Sequence, residues 1–187
     1  MVEDTDYRRF ADYGFGGRYV GGARNFLCRR GLTRGEYFRG WLGERFADKL
    51  GSADVRFGDP EVTRNDLQDV SDAEREQARY RLRVIASDVT SGRMLVLPDH
   101  IEDYEDEAGR RFVRDELTFI DAVRMSMSFP FFFEPVRLHR QGRPCYIVDG
   151  GLLSNFPVWL FDSPESTRPT WGFQLHSGEA WRRRGPG

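Results

Sequence analysis

A chain of 187 residues has room for one domain with a real core, and 28 basic against 30 acidic residues leave a net charge of −2 that argues against a general nucleic-acid binder. Its 39% hydrophobic and 14% aromatic content excludes a disordered chain. Two cysteines, Cys28 and Cys145, give no disulfide framework, and no apolar run reaches membrane-spanning length. The start of the chain is acidic and has no apolar stretch of the kind a signal peptide carries, so the expected location is cytoplasmic.

Residues 1–24 carry Gly14, Gly16, Gly17, Gly21 and Gly22 among aromatics and arginines. The run from Gly16 to Gly21 has the composition of a phosphate or oxyanion loop. It lacks the buried strand before and the helix after that such a loop needs, so a loop is assigned. Thr33 to Leu50 is the best helix. Thr33 and Glu36 have capping-box spacing, Tyr37, Phe38, Trp41, Leu42, Phe46 and Leu50 share a face, and Gly51 stops it. That aromatic stripe is read as core. Residues 52–79 are polar and turn-rich, with no chemistry in view.

Tyr80 to Ser87 and Arg93 to Pro98 read as two strands joined by a short turn, hence an antiparallel hairpin. Asp99 to Glu107 is acidic. Counted from Asp103, the sixth and twelfth positions hold Ala108 and Arg114 rather than the Gly and Glu of a calcium loop, so a solvated loop is expected. No residue cluster implies a metal or an organic cofactor. Thr118 to Ser128 reads as a helix with Phe119, Ile120, Val123 and Met127 near one face. The cluster Phe129 to Phe133 and an extended run from Pro135 to His139 follow. Trp171 to His176 reads as a last short strand and 177–187 as a flexible tail.

The chain is organised around Cys145 to Val158. Cys145 to Val148 has the apolar character of a strand buried on both faces, as a central strand of a parallel sheet requires. Asp149 follows at once. A carboxylate there lies where open α/β sheets place ligands, beyond the carboxyl end of a strand. Gly150 and Gly151 then allow a sharp turn. Alternation of strands and helices points to an α/β layered domain.

Three blocks, in order, resemble the patatin-like phospholipase family. They are Val84 to Gly92, Asp121 to Pro135 with its S-x-S-x-P core, and Val148-Asp149-Gly150-Gly151 with Asn155 and Pro157, a D-G-G-x-x-x-N-x-P string. The resemblance covers about residues 25–176, and it implies a three-layer α/β/α patatin-like domain that is N-terminally incomplete. It also implies a Ser–Asp dyad in which Asp149 is the base, supported by Gly150, Gly151, Asn155 and Pro157. Phe129, Phe131, Phe132 and Phe133 would line an acyl cleft. A lipid or acyl ester is the implied substrate, with contact at a membrane surface.

The family's nucleophile sits in a G-x-S-x-G elbow after a glycine-rich oxyanion loop. No serine of this chain has Gly two before and two after it, and the Gly16–Gly21 run lacks a third consecutive glycine. A serine hydroxyl needs an adjacent base, and a base without the elbow has nothing to activate. The expectation is an incomplete lipid acyl hydrolase, inactive as this chain alone. The alternatives are a non-catalytic relative that binds lipid or a partner, and an unrelated α/β interaction module. No histidine is assigned a catalytic part, since a triad is recognised by geometry.

Overall fold

A computed structural model describes residues 31–64, 75, 76, 78–154, 156–161 and 169–173. The glycine-rich stretch 1–24, Asn155 and the tail 177–187 lie outside the described residues. The chain divides into two compact units between Leu153 and Ser154. The first holds all the strands and both α-helices named below.

Strand β1 (Gly31–Thr33) leads into helix α1 (Glu36–Leu50). Thr33 does not cap α1. Its hydroxyl donates to the Phe132 carbonyl at 3.1 Å, and Gly35, in the left-handed region at φ 76°, takes the N-cap position without a side-chain bond. The sequence spacing was right for a capping box, but a neighbouring strand took the hydroxyl. The helix stops as expected at Gly51, φ 79°, whose N–H reaches the Ala47 carbonyl. Of the aromatic face, Phe38 and Leu42 are buried while Leu50 is exposed.

Strands β2 (Val84–Asp88) and β3 (Arg93–Leu97) form the expected antiparallel hairpin. Helix α2 (Phe119–Ser126) starts at Thr118, whose hydroxyl accepts the Asp121 N–H. It buries Phe119, Ala122 and Met125 and leaves Met127 exposed, so the inward face is rotated from the one the apolar spacing suggested. Strand β4 (Phe131–Phe133) pairs in parallel with β1. Strands β5 (Val136–Arg140) and β6 (Arg143–Asp149) form a second hairpin. Its two-residue turn puts Gln141 and Gly142 at positive φ, the backbone that matches strand twist.

The main sheet has the order β3-β2-β6-β5. β6 is central, as its apolar run implies, but it runs antiparallel to both neighbours rather than in a parallel sheet. Four apolar residues report burial, not strand direction; two hairpins decide the direction here. The expected α/β class holds, with parallel and antiparallel pairs both present.

Helix α2 packs against β2 and β6. The core between them takes residues from segments that looked solvated. Phe57, from the polar stretch after α1, is 1% exposed and packs against Phe119, the ring centroids 4.6 Å apart and the planes tilted by 58°. The acidic loop is likewise not a free surface loop. A 3-10 turn at Ile101–Asp103 buries Ile101 and Tyr104 completely, and Glu105 exchanges two backbone bonds of 2.8 Å with His139. Burying one such large side chain stabilises by about 1.5–3 kcal/mol, which is why these few apolar residues override their polar neighbours. In the second unit Val158–Phe161 forms a 3-10 turn, and Trp171–Phe173 is not in a strand.

Candidate active site around Asp149

β6 delivers Asp149 to its carboxyl end, beside Ala86 of β2. The carboxylate caps the following 3-10 turn, Gly150–Leu152: Oδ1 accepts the Gly151 N–H at 2.7 Å. Among the described residues Oδ2 has no hydrogen bond and Asp149 meets no Arg or Lys. The side chain is half-buried. One oxygen is thus used to hold orientation, and the other is open to accept a proton.

Three sequence blocks meet at this point. The Asp149 N–H donates to the Ser128 carbonyl at 3.0 Å, which ties the end of β6 to the loop after α2. The Ser87 hydroxyl of β2 donates to the Gly150 carbonyl at 3.3 Å. Gly150 lies so close to β2 that a Cβ there would stand 2.2 Å from the Ile85 carbonyl oxygen. Close backbone approach, not a special φ, is what this glycine supplies.

No serine hydroxyl among the described residues bonds to the Asp149 carboxylate. Ser128 is wholly buried, and its hydroxyl is engaged with Arg124. Pro157 is half-buried in the second unit.

The phenylalanines separate. Phe129 and Phe131 are 62% and 68% exposed, Phe132 is half-buried, and Phe133 is buried against Phe38 at 5.9 Å. Phe131 sits at φ 69°, after Pro130 in a turn closed by the Phe132 N–H on the Phe129 carbonyl at 3.2 Å. That is the glycine position of a type II turn, and a bulky residue there is strained by about 1–2 kcal/mol. Phe131→Gly is therefore expected to raise stability by up to about 1 kcal/mol, since so exposed a ring loses little burial. A shift of the urea midpoint measures it; an equal or lower midpoint would mean the ring is held by more than its turn. Leu152 and Leu153, in and just after the turn that Asp149 caps, are also exposed. Two concave sites, of roughly 270 Å³ beside Phe112 and Asp121 and roughly 350 Å³ beside Thr63 and Arg79, do not include Asp149.

Two polar centres were not singled out in the sequence. Asp88, at the end of β2, is fully buried. Its Oδ1 accepts the N–H groups of Thr90 and Ser91 at 2.9 and 3.2 Å, and its Oδ2 accepts the hydroxyls of Ser91 and Tyr104 at 2.6 and 2.9 Å. Burial pushes its carboxyl pKa up, but the bonds from Ser91, Tyr104 and Thr90 outweigh that and hold it below the usual value. Burial and the Asp88 carboxylate together push the Tyr104 phenol up. The second centre is Arg124, buried on α2. Its available signal is the i, i+4 spacing to Ser128, which would share a face of a helix running from Thr118 to Ser128, although α2 ends at Ser126.

His100 Nδ1 accepts the Val96 N–H at 3.2 Å, and no group of three or more His, Cys, Asp or Glu among the described residues is arranged to hold a metal. No helix among the described residues is long and apolar enough to cross a membrane.

A family model described as patatin-like phospholipase matches residues 4–162. The uncharacterized protein YqhO of Bacillus subtilis (strain 168) is 40% identical over 155 residues, which cover 82% of this chain. The match spans 44% of that relative's length. No solved structure matches the chain.

Proposed function

Since the chain belongs to the patatin-like phospholipase family, we propose that it carries the base half of a lipid acyl hydrolase, with Asp149 as the proton acceptor of a Ser–Asp dyad. The observation that carries this reading is the carboxylate itself. It stands at a strand's carboxyl end, oriented through one oxygen and free at the other, with no cation to neutralise it among the described residues. Such a group takes a proton from a hydroxyl brought within about 3 Å. The substrate is a lipid or acyl ester; exposed Phe129 follows Ser128, whose carbonyl accepts the Asp149 N–H, and exposed Leu152 and Leu153 lie in and just after the turn that Asp149 caps. They also support contact with a membrane surface. A cytoplasmic location is part of the same reading.

The nucleophile is not among these residues. In the reading, a G-x-S-x-G elbow and its oxyanion donors come from other sequence, and this chain alone does not turn over esters. Losing one oxyanion donor alone costs about 10²–10³ in rate.

The chain is expected to hydrolyse a short-chain nitrophenyl ester no faster than its Asp149→Asn variant. Fused behind a segment that supplies the elbow, it is expected to hydrolyse the ester with a rate that Asp149→Asn lowers by about 10³ or more. Turnover by the chain alone that Asp149→Asn abolishes would refute the assignment of the nucleophile to other sequence. Turnover in the fusion that ignores Asp149→Asn would refute the base.

The second reading is a non-catalytic module that binds lipid or a partner. The engagement of Ser128 with Arg124 and the exposure of Phe129 and Phe131 favour it. Lipid binding with no turnover in the fusion would select it.

A further inference from the structure

We propose that Arg124 is a positioning residue for Asp149, acting through Ser128. The inference rests on the reading of Asp149 as the base.

The Arg124 side chain is buried and its donors fan out over three segments. Nη1 donates to the Ser128 hydroxyl at 2.5 Å, and Nη2 donates to the carbonyls of Arg34 and Glu134 at 2.8 and 2.9 Å. The guanidinium lies 5.4 Å over the Phe133 ring. The Ser128 hydroxyl donates in turn to the Arg124 carbonyl at 2.7 Å. Ser128 is therefore locked by its side chain, and its carbonyl is the group that accepts the Asp149 N–H.

Ser128 and Glu134 bracket the loop that contains the strained Phe131 turn. One guanidinium thus closes both ends of that loop and also binds the exit of β1, the strand partner of β4. Gly35 makes room for it, since a Cβ there would stand 2.9 Å from Nε. A planar fork with five donors can span three such acceptors; an ammonium on a flexible stem cannot hold them in fixed directions. Burying a charge is costly unless its bonds are complete. Here those bonds fix the peptide from which Asp149 is hung.

The test is amide hydrogen exchange on the chain, residue by residue, in the parent, Arg124→Lys and Ser128→Ala. Arg124→Lys keeps the charge and loses the fork. Ser128→Ala loses only the hydroxyl and keeps the carbonyl. In both, exchange at the Asp149 amide is expected to rise about tenfold or more, while amides of the β2–β3 ladder change by less than about twofold. An unchanged Asp149 amide in both variants overturns the proposal. So does a rise matched by the β2–β3 ladder, up to loss of the fold, because that is what a merely structural arginine would do. The readout is backbone position rather than turnover, so failure of the ester assays would count against the base and leave this result standing.

Discussion

Gly150→Ala is expected to lower the unfolding free energy by about 3 kcal/mol or more, the range of severe overpacking. The added methyl would stand 2.2 Å from the Ile85 carbonyl oxygen and 2.6 Å from its carbonyl carbon. Both are backbone atoms of β2, which is paired on its two sides by β3 and β6. No rotamer change can relieve the contact; either the strand or the turn must shift. Shifting the turn breaks the Ser87 bond to the Gly150 carbonyl and the Asp149 bond to the Ser128 carbonyl. Gly151→Ala serves as the control. Gly151 is exposed, so its cost should stay below about 1 kcal/mol. Urea unfolding of the two variants measures the difference. Equal midpoints would mean that the turn is soft and that Asp149 is not rigidly placed.

Asp88→Ala should cost about 3 kcal/mol for a different reason. The substitution leaves the Tyr104 hydroxyl, the Ser91 hydroxyl and two backbone N–H groups without their acceptor; Asp88 and Tyr104 are fully buried, whereas Thr90 and Ser91 are exposed. Each buried donor left unsatisfied costs about 1–3 kcal/mol, less where water can enter. Tyr104→Phe removes one donor and its own hydroxyl together, so it should cost no more than about 1.5 kcal/mol.

The same site sets a pH dependence. The Asp88 pKa is lower in the folded chain than the unfolded value of about 3.9. A carboxyl of that kind contributes stability that is fully present above the unfolded pKa and is lost as pH falls through the folded one. The parent should therefore lose stability below about pH 4, and Asp88→Ala should lose less over that interval. Parallel stability curves for the two proteins from pH 5 to the acid limit of folding would show that other carboxylates carry the acid sensitivity.

Some of this protein was legible in its sequence, because the signals are local. The stop at Gly51 depends on residues within one helical turn. The β2–β3 hairpin depends on a turn of a few residues. The placement of Asp149 at the end of an apolar strand, followed by a glycine turn, depends on seven consecutive residues, Cys145 to Gly151. The order of the three blocks was enough to identify the family. Contacts between side chains far apart in sequence were harder to see. Phe57 and Tyr104 lie in polar surroundings, and nothing nearby in the chain says that Phe119 and Asp88 will meet them.

What the sequence by itself determined is the class of the fold, the position of the acid and the need for glycine after it. The tertiary structure alone decided that β6 runs antiparallel to its neighbours, since an apolar run records burial on two faces and is silent about direction. It also took the Thr33 hydroxyl from α1 and gave it to β4, because a strand carbonyl 99 residues away was nearer than the helix amides. And it made Arg124 and Ser128 into the support of Asp149. An arginine on a short helix reads as a solvent-facing charge until the ends of β1 and β4 and the loop at Ser128 close around it, and only then does its fork find the Ser128 hydroxyl and the carbonyls of Arg34 and Glu134.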